Sequence, residues 1–135
     1  DDNYLDSFPV DTAEEMLQWV DGIDVIGVDE AQFFDQGLPA VVDKLANRGK
    51  RVIIAGLDMD YLAQPFGVMP HLMAMAEYVT KVHAICMQCG DVAQYSYRFT
   101  KSGGQVQLGE RDQYEPRCRS CFTKGMASQQ AGKRR

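Results

Sequence analysis

Long apolar stretches are missing from this sequence: no run approaches the ~20 residues that a membrane-crossing helix needs. The opening residues, DDNYLDSF, have neither the basic start nor the apolar stretch of a secretory signal. The two absences together argue against a membrane partner and lead us to expect a soluble, intracellular protein of the cytoplasm. Internal repeats and low-complexity tracts are also lacking, which sets aside repeat and tail-like architectures. What is present is globular composition: of 135 residues, 45% are hydrophobic and 24% charged. That length suits one domain, or a core with a small appended module.

The net charge of −5 hides an asymmetry. Residues 1–60 carry 14 acidic and 4 basic side chains, whereas residues 61–135 carry 5 acidic and 10 basic ones. A basic half could meet phosphate or nucleic acid, but three of its charges close the chain as Lys133-Arg134-Arg135. The stretch after Met126, ASQQAGKRR, reads as a solvated polar tail.

Two regimes follow one another. From about Pro9 to Val82, short apolar runs alternate with helical patterns. Asp11 or Thr12 can cap a helix, with Glu14 or Glu15 closing a capping box before Met16, Leu17 and Val20. Val25-Ile26-Gly27-Val28 reads as a buried parallel strand, Leu38, Val41, Val42 and Leu45 as a helical stripe, and Gly49 as its C-terminal cap. Arg51 to Gly56 is a second buried strand, so a βαβ unit with parallel strands is expected. A shorter helix is expected over His71 to Glu77. From about Ala84 the pattern becomes that of a small hairpin module: Tyr95 to Phe99 alternates like a strand, and Ser102-Gly103-Gly104 marks a turn before Gln105 to Leu108. The expected division is an α/β core at 1–83, a cysteine module at 84–124 and a polar tail at 125–135.

Cys86-Met87-Gln88-Cys89 and Cys118-Arg119-Ser120-Cys121 are two CxxC pairs with 28 residues between them. Each pair can set two thiolates on one tight turn, and two turns complete a tetrahedral S₄ site. Thiolates at all four positions leave no place for water or substrate, so the expected metal is a structural Zn²⁺. Disulfides fit poorly with an intracellular chain, and a redox motif needs only one pair. Zinc ribbons of this kind also occur in nucleic-acid-binding proteins, so the cysteines alone name no function.

Asp29 and Glu30 follow the strand Val25 to Val28, where open α/β sheets bind their ligands. An apolar strand ending in Asp matches the Walker B pattern, whose acid helps hold Mg²⁺ on a nucleotide. The adjacent Glu could take a proton from an attacking hydroxyl. Loop residues or helix caps explain the same pair equally well at this point.

Four blocks decide between them. Val28-Asp29-Glu30-Ala31-Gln32-Phe33-Phe34, Leu57-Asp58-Met59-Asp60-Tyr61 with Pro65-Phe66-Gly67, Cys86-Met87-Gln88-Cys89, and Tyr114-Glu115-Pro116-Arg117-Cys118 with Cys121 occur in that order. Together they resemble the zinc-containing, tetrameric thymidine kinases over roughly residues 7–122. The resemblance implies an α/β fold with a parallel, P-loop-type (RecA-like) sheet flanked by helices, plus a small Cys₄ zinc ribbon carrying a lasso loop. It implies transfer of the γ-phosphoryl group of ATP to the 5′-hydroxyl of thymidine, a step that feeds DNA synthesis. Glu30 then matches the catalytic base and Asp29 the Mg²⁺-holding acid, with Asp29, Glu30, Ala31 and Gln32 beside the phosphates. Phe33, Leu57, Tyr61 and Phe66 match the lining of the nucleoside pocket. Gln105, Val106, Gln107, Leu108, Gly109 and Tyr114 match the lasso over the base, whose ends the zinc ties together. A homotetramer and feedback inhibition by thymidine triphosphate are implied as well. Without the resemblance, core packing is the simpler reading of the four pocket residues.

The sequence departs from that pattern in three places. It contains no GxxxxGK[ST] string, so we expect about the first third of the natural polypeptide, with its phosphate loop, to be absent from it. Asp1-Asp2-Asn3-Tyr4 has Asn where the family usually has Arg, and the match resumes some residues later, so a break between Tyr4 and Leu5 is expected. Tyr61 stands where Phe is commoner, adding a hydroxyl. Two other readings remain in view: a zinc-ribbon module that binds nucleic acid without catalysis, and a regulatory subunit with a degenerate kinase fold.

Overall fold

The strand–helix–strand reading holds in the computed structural model, which describes residues 5–99 and 113–133. Strand β1 (Val25–Val28) pairs in parallel with β2 (Arg51–Ile54), in the register Val25 to Arg51 and Val28 to Ile54. Helix α1 (Leu38–Asn47) makes the crossover and buries Leu38, Val41, Val42 and Leu45. It ends as expected. Gly49, at φ +84°, donates from its N–H to the Ala46 carbonyl, and the Lys50 N–H reaches the Leu45 carbonyl. These two bonds form a Schellman cap, which needs a left-handed residue at the position Gly49 fills.

The described residues form two units: 5–58 with 65–78, and 59–64 with 79–99 and 113–133. The first unit is mixed α/β. Its core joins Ala13, Met16 and Val20 to Val28, Ala31, the α1 stripe, and Val68, Met69 and Leu72. Ile26, Val52 and Ile54 pack against that core. Val25 and Ile53, on the other face of the sheet, are 55% and 53% exposed. The expected burial is therefore met on one face only, because alternate side chains of a strand point to opposite faces.

Two helical expectations change. Residues Ala13–Gln18 form a 3₁₀ helix, and the Thr12 side chain makes no capping bond. Glu15 does reach back, but past the cap: the Asp11 N–H donates to Glu15 Oε2 at 3.0 Å, so the box is not formed. The Ala13 N–H goes instead to Asp35 Oδ1 at 2.8 Å, a partner 22 residues away that no local pattern announces. Helix α2 spans Met69–Met75 rather than 71–77. Pro70 sits in its first turn, where a missing N–H costs nothing, so the helix begins before the proline.

In the second unit, β3 (Ala84–Ile85) and β4 (Val92–Ala93) form a short antiparallel pair around the first CxxC. Strand β5 (Tyr95–Phe99) is where the alternation put it. Its partner is β6 (Gln113–Arg117), with Tyr95 opposite Arg117 and Phe99 opposite Gln113. The expected turn at 102–104, the strand at 105–108 and the Tyr4–Leu5 junction all lie outside the described residues. Helix α3 (Arg119–Lys133) runs through the stretch read as a polar tail. It stays helical because one side of it has something to pack on: Phe122 stacks on Tyr95 at 4.6 Å between ring centroids. Further along, Gln129 Nε2 donates to the Arg98 carbonyl at 2.8 Å and to the Tyr97 hydroxyl at 2.9 Å.

Among the described residues, no helix is long and apolar enough to cross a membrane.

Candidate functional site

The end of β1 carries the first cluster. Both Asp29 and Glu30 are exposed, and the Glu30 N–H donates to Asp29 Oδ1 at 2.9 Å. Glu30 adopts φ 52° and ψ 42°, a left-handed conformation that is uncommon for a side-chain-bearing residue and costs on the order of 1–3 kcal/mol. Neighbouring bonds hold it there. The Ala31 N–H donates to the Ala55 carbonyl at 3.1 Å, and the Phe33 N–H to the Glu30 carbonyl at 3.1 Å.

Gln32 follows within the turn Ala31–Phe33 and is only 4% exposed. Its Nε2 donates to Glu30 Oε2 at 2.7 Å, and its Oε1 accepts from the Leu57 N–H at 3.0 Å. The surroundings are tight. A Cβ at Gly56 would lie 2.9 Å from Gln32 Oε1 and 2.8 Å from Met69 Sδ, so only glycine lets the β2 end approach this amide.

Beside these groups, Phe33 is 70% exposed and Leu57 50% exposed. Phe33 meets Phe66 edge-on, with ring centroids 5.5 Å apart and planes at 88°. Core packing does not describe Phe33 or Leu57. They put apolar surface in water next to a carboxylate pair, an arrangement that suits a flat, partly apolar ligand.

In the second unit, Arg98 lies over the Tyr61 ring, its Cζ 3.9 Å from the centroid. Tyr114, directly opposite Arg98 on β6, is exposed. Residues Gln105 to Gly109 lie outside the described part.

The cysteines form the second cluster. Their four Sγ atoms lie within 4.8 Å of one another, and Cys89 and Cys118 are 3.7 Å apart. Four thiolates at ~2.3 Å from a central ion in tetrahedral geometry would stand ~3.8 Å apart. The donor set therefore fits a thiophilic metal, and all four cysteines are free of disulfides. The local electrostatics agree. Burial pushes the Cys86 thiol up, but backbone N–H groups of Cys118, Cys89 and Gln88 outweigh it and bring the group down to about 6. Cys121 is pushed up to about 12, chiefly by the Cys118 thiol and then by burial. Thiols packed this closely cannot all ionise alone, and a bound cation removes the conflict.

The sequence model of the family described as thymidine kinase matches residues 2–122. The chain belongs to the thymidine kinase family. Among curated thymidine kinases, that of Rhodothermus sp. (strain ITI 518) is 57% identical over 122 residues, covering 90% of this chain and 57% of the relative. That of Bacteroides fragilis (strain YCH46) is 53% identical over 126 residues, covering 93% and 63%. That of Porphyromonas gingivalis (strain ATCC 33277) is 52% identical over 124 residues, covering 92% and 61%. The chain thus spans 57% to 63% of the length of these relatives. Membership of the thymidine kinase family does not favour the nucleic-acid-binding reading.

Two arrangements, one in each unit, escaped the sequence. One is the inward turn of the Gln32 amide, which depends on a backbone N–H 25 residues away. The other is Arg98, whose position over Tyr61 could be found only once β5 and the 59–64 segment were known to share a unit.

Proposed function

We propose that the protein phosphorylates thymidine, passing the γ-phosphoryl group of ATP to the 5′-hydroxyl to give thymidine monophosphate and ADP. The observation that carries this reading is exposed Phe33, edge-on to the half-buried Phe66 and three residues from the strained, hydrogen-bonded Glu30. Glu30 takes the hydroxyl proton as the new O–P bond forms and the bond to ADP breaks. Asp29, exposed at the strand end, holds Mg²⁺ on the nucleotide, and that ion supplies charge neutralisation on the phosphates. Ala31 and Gln32 complete the edge beside the phosphates. Phe33, Leu57, Tyr61 and Phe66 are assigned to the nucleoside, and Tyr114 and residues 105–109 to its base, on family membership alone. The sheet is of the P-loop type, although no GxxxxGK[ST] string occurs in these residues. Zn²⁺ occupies the Cys86, Cys89, Cys118 and Cys121 set, a closed S₄ shell that is structural rather than catalytic. The assembly is a cytoplasmic homotetramer inhibited by thymidine triphosphate in the substrate site, a reading supported by family membership alone.

The test is a coupled ADP-release assay on the intact gene product with ATP, Mg²⁺ and thymidine. Thymidine-dependent turnover is expected, and Glu30→Gln lowers kcat by ~10²–10⁴ with nucleoside binding largely kept. Absence of thymidine-dependent turnover in the intact protein would refute the reading. Unchanged turnover in Glu30→Gln would remove Glu30 from the role of base.

A further inference from the structure

We infer that Gln32 is a positioning residue for the Glu30 carboxylate, linking it to the backbone of Leu57. The inference rests on the thymidine kinase reading above and adds to it how the base is held. Glu30 is itself the left-handed residue and is exposed, so burial does little to fix its carboxylate. Gln32 is the opposite case, a buried amide with a fixed partner at each end. An amide donates only through nitrogen and accepts only through oxygen. With Oε1 committed to the Leu57 N–H, Nε2 must face Glu30. The orientation of the carboxylate is then set by the loop after β2, not by solvent.

The surroundings add to this constraint. The backbone at Gly56 comes so close that a Cβ there would lie 2.9 Å from Gln32 Oε1, and a Cβ at Gly67 would lie 2.8 Å from the Gln32 carbonyl oxygen. Gln32 is thereby packed from two sides by segments that flank Leu57 and Phe66. Movement of the Leu57 loop on nucleoside binding would be passed through one side chain to the group that takes the proton. A 1 Å misplacement of such a group is enough to slow chemistry severely.

The test uses Gln32→Met and Gln32→Glu in the intact enzyme, alone and combined with Glu30→Gln. Methionine keeps the length and loses both bonds. Glutamate keeps an acceptor for Leu57 but sets a second carboxylate against Glu30, so it also shifts the kcat–pH profile and reports even if the methionine variant proves unstable. Either substitution is expected to lower kcat about 10- to 100-fold, the size of one hydrogen bond to a charged group, with a much smaller change in thymidine KM. In the Glu30→Gln background the same substitution should cost less than about threefold, because two residues acting as one unit are not additive. An equal loss in both backgrounds would assign Gln32 a structural role only and overturn the inference, as would unchanged kcat in the single variants. Silence of the unmutated enzyme would instead refute the functional reading itself.

Discussion

Two glycines on the same helix should respond to the same substitution with opposite signs. Gly125 is buried where α3 crosses Tyr97, and a Cβ there would lie 2.6 Å from Tyr97 Cε2, 2.9 Å from its Cζ, and closer still to Arg117 Nη1. The ring cannot easily step aside. Arg117 covers one face, with its Cζ 3.6 Å from the centroid, and the Tyr97 hydroxyl donates to the Gly125 carbonyl at 3.2 Å. Arg117 is itself tied to Glu115 at 2.6 Å and to the Cys121 carbonyl at 3.3 Å. Gly132 has nothing within 4 Å of its would-be Cβ. Alanine in a helix gains up to about 1 kcal/mol over glycine, whereas overpacking a fixed site costs about 1–3 kcal/mol. Gly125→Ala should therefore lose up to about 2 kcal/mol net. Gly132→Ala should gain at most about 1 kcal/mol, less because it lies in the last turn. Urea unfolding by far-ultraviolet circular dichroism gives both values, and hydrogen exchange over 119–133 locates the effect. If Gly125→Ala stabilised the protein as much as Gly132→Ala, propensity would outweigh packing here and the account of α3 would be wrong.

Two further outcomes follow from the same geometry. Cys89→Ser should abolish stoichiometric metal, measured by plasma mass spectrometry as a fall from about one ion per chain, because three thiolates leave the tetrahedral shell open; full retention would show that the cluster is not the metal site. Asp35 has its carboxyl held below the ordinary 3.8, first by the Ala13 N–H and, after an opposing contribution from burial, by the Gly37 N–H. A lowered folded-state value stabilises above the unfolded value and loses that contribution as pH falls through the folded one. The stability gap between wild type and Asp35→Asn should thus be constant near neutrality and close below about pH 3.8; a gap that widens on acidification would contradict the sign.

Local periodicity made much of the fold legible. The α1 stripe, the Gly49 cap and the β5 alternation are each written within ten or so consecutive residues, and each is found where the pattern put it. What was not legible depended on partners distant in sequence. The first helix became a 3₁₀ turn with its leading N–H taken by Asp35, and the polar tail became helix because Tyr95 and Tyr97 offered it a surface. At the site, residue types were readable but not directions. The sequence names Glu30 and Gln32, while the left-handed turn and the Leu57 bond decide which way they point.

The same distinction alters the expected role of the metal. The sequence suggests that zinc orders the excursion between the CxxC pairs by tying its ends, a span of 28 residues. Strands β5 and β6 already perform that closure. Pairing from Tyr95–Arg117 to Phe99–Gln113 leaves 13 residues between the innermost partners. Closure entropy grows only as (3/2)RT ln n, so shortening the span from 28 to 13 residues changes it by about 0.7 kcal/mol. With the rungs in place, the ends of the excursion meet whether or not the cysteines hold an ion. The metal's larger task is then to join the knuckle at 86–89 to the start of α3. The knuckle's other bonds run to β6, such as Met87 N–H to the Pro116 carbonyl at 3.0 Å and Gln88 to Glu115 at 2.9 Å. Loss of metal should accordingly loosen residues 84–93 and 118–122 before it disturbs the β5–β6 pairing.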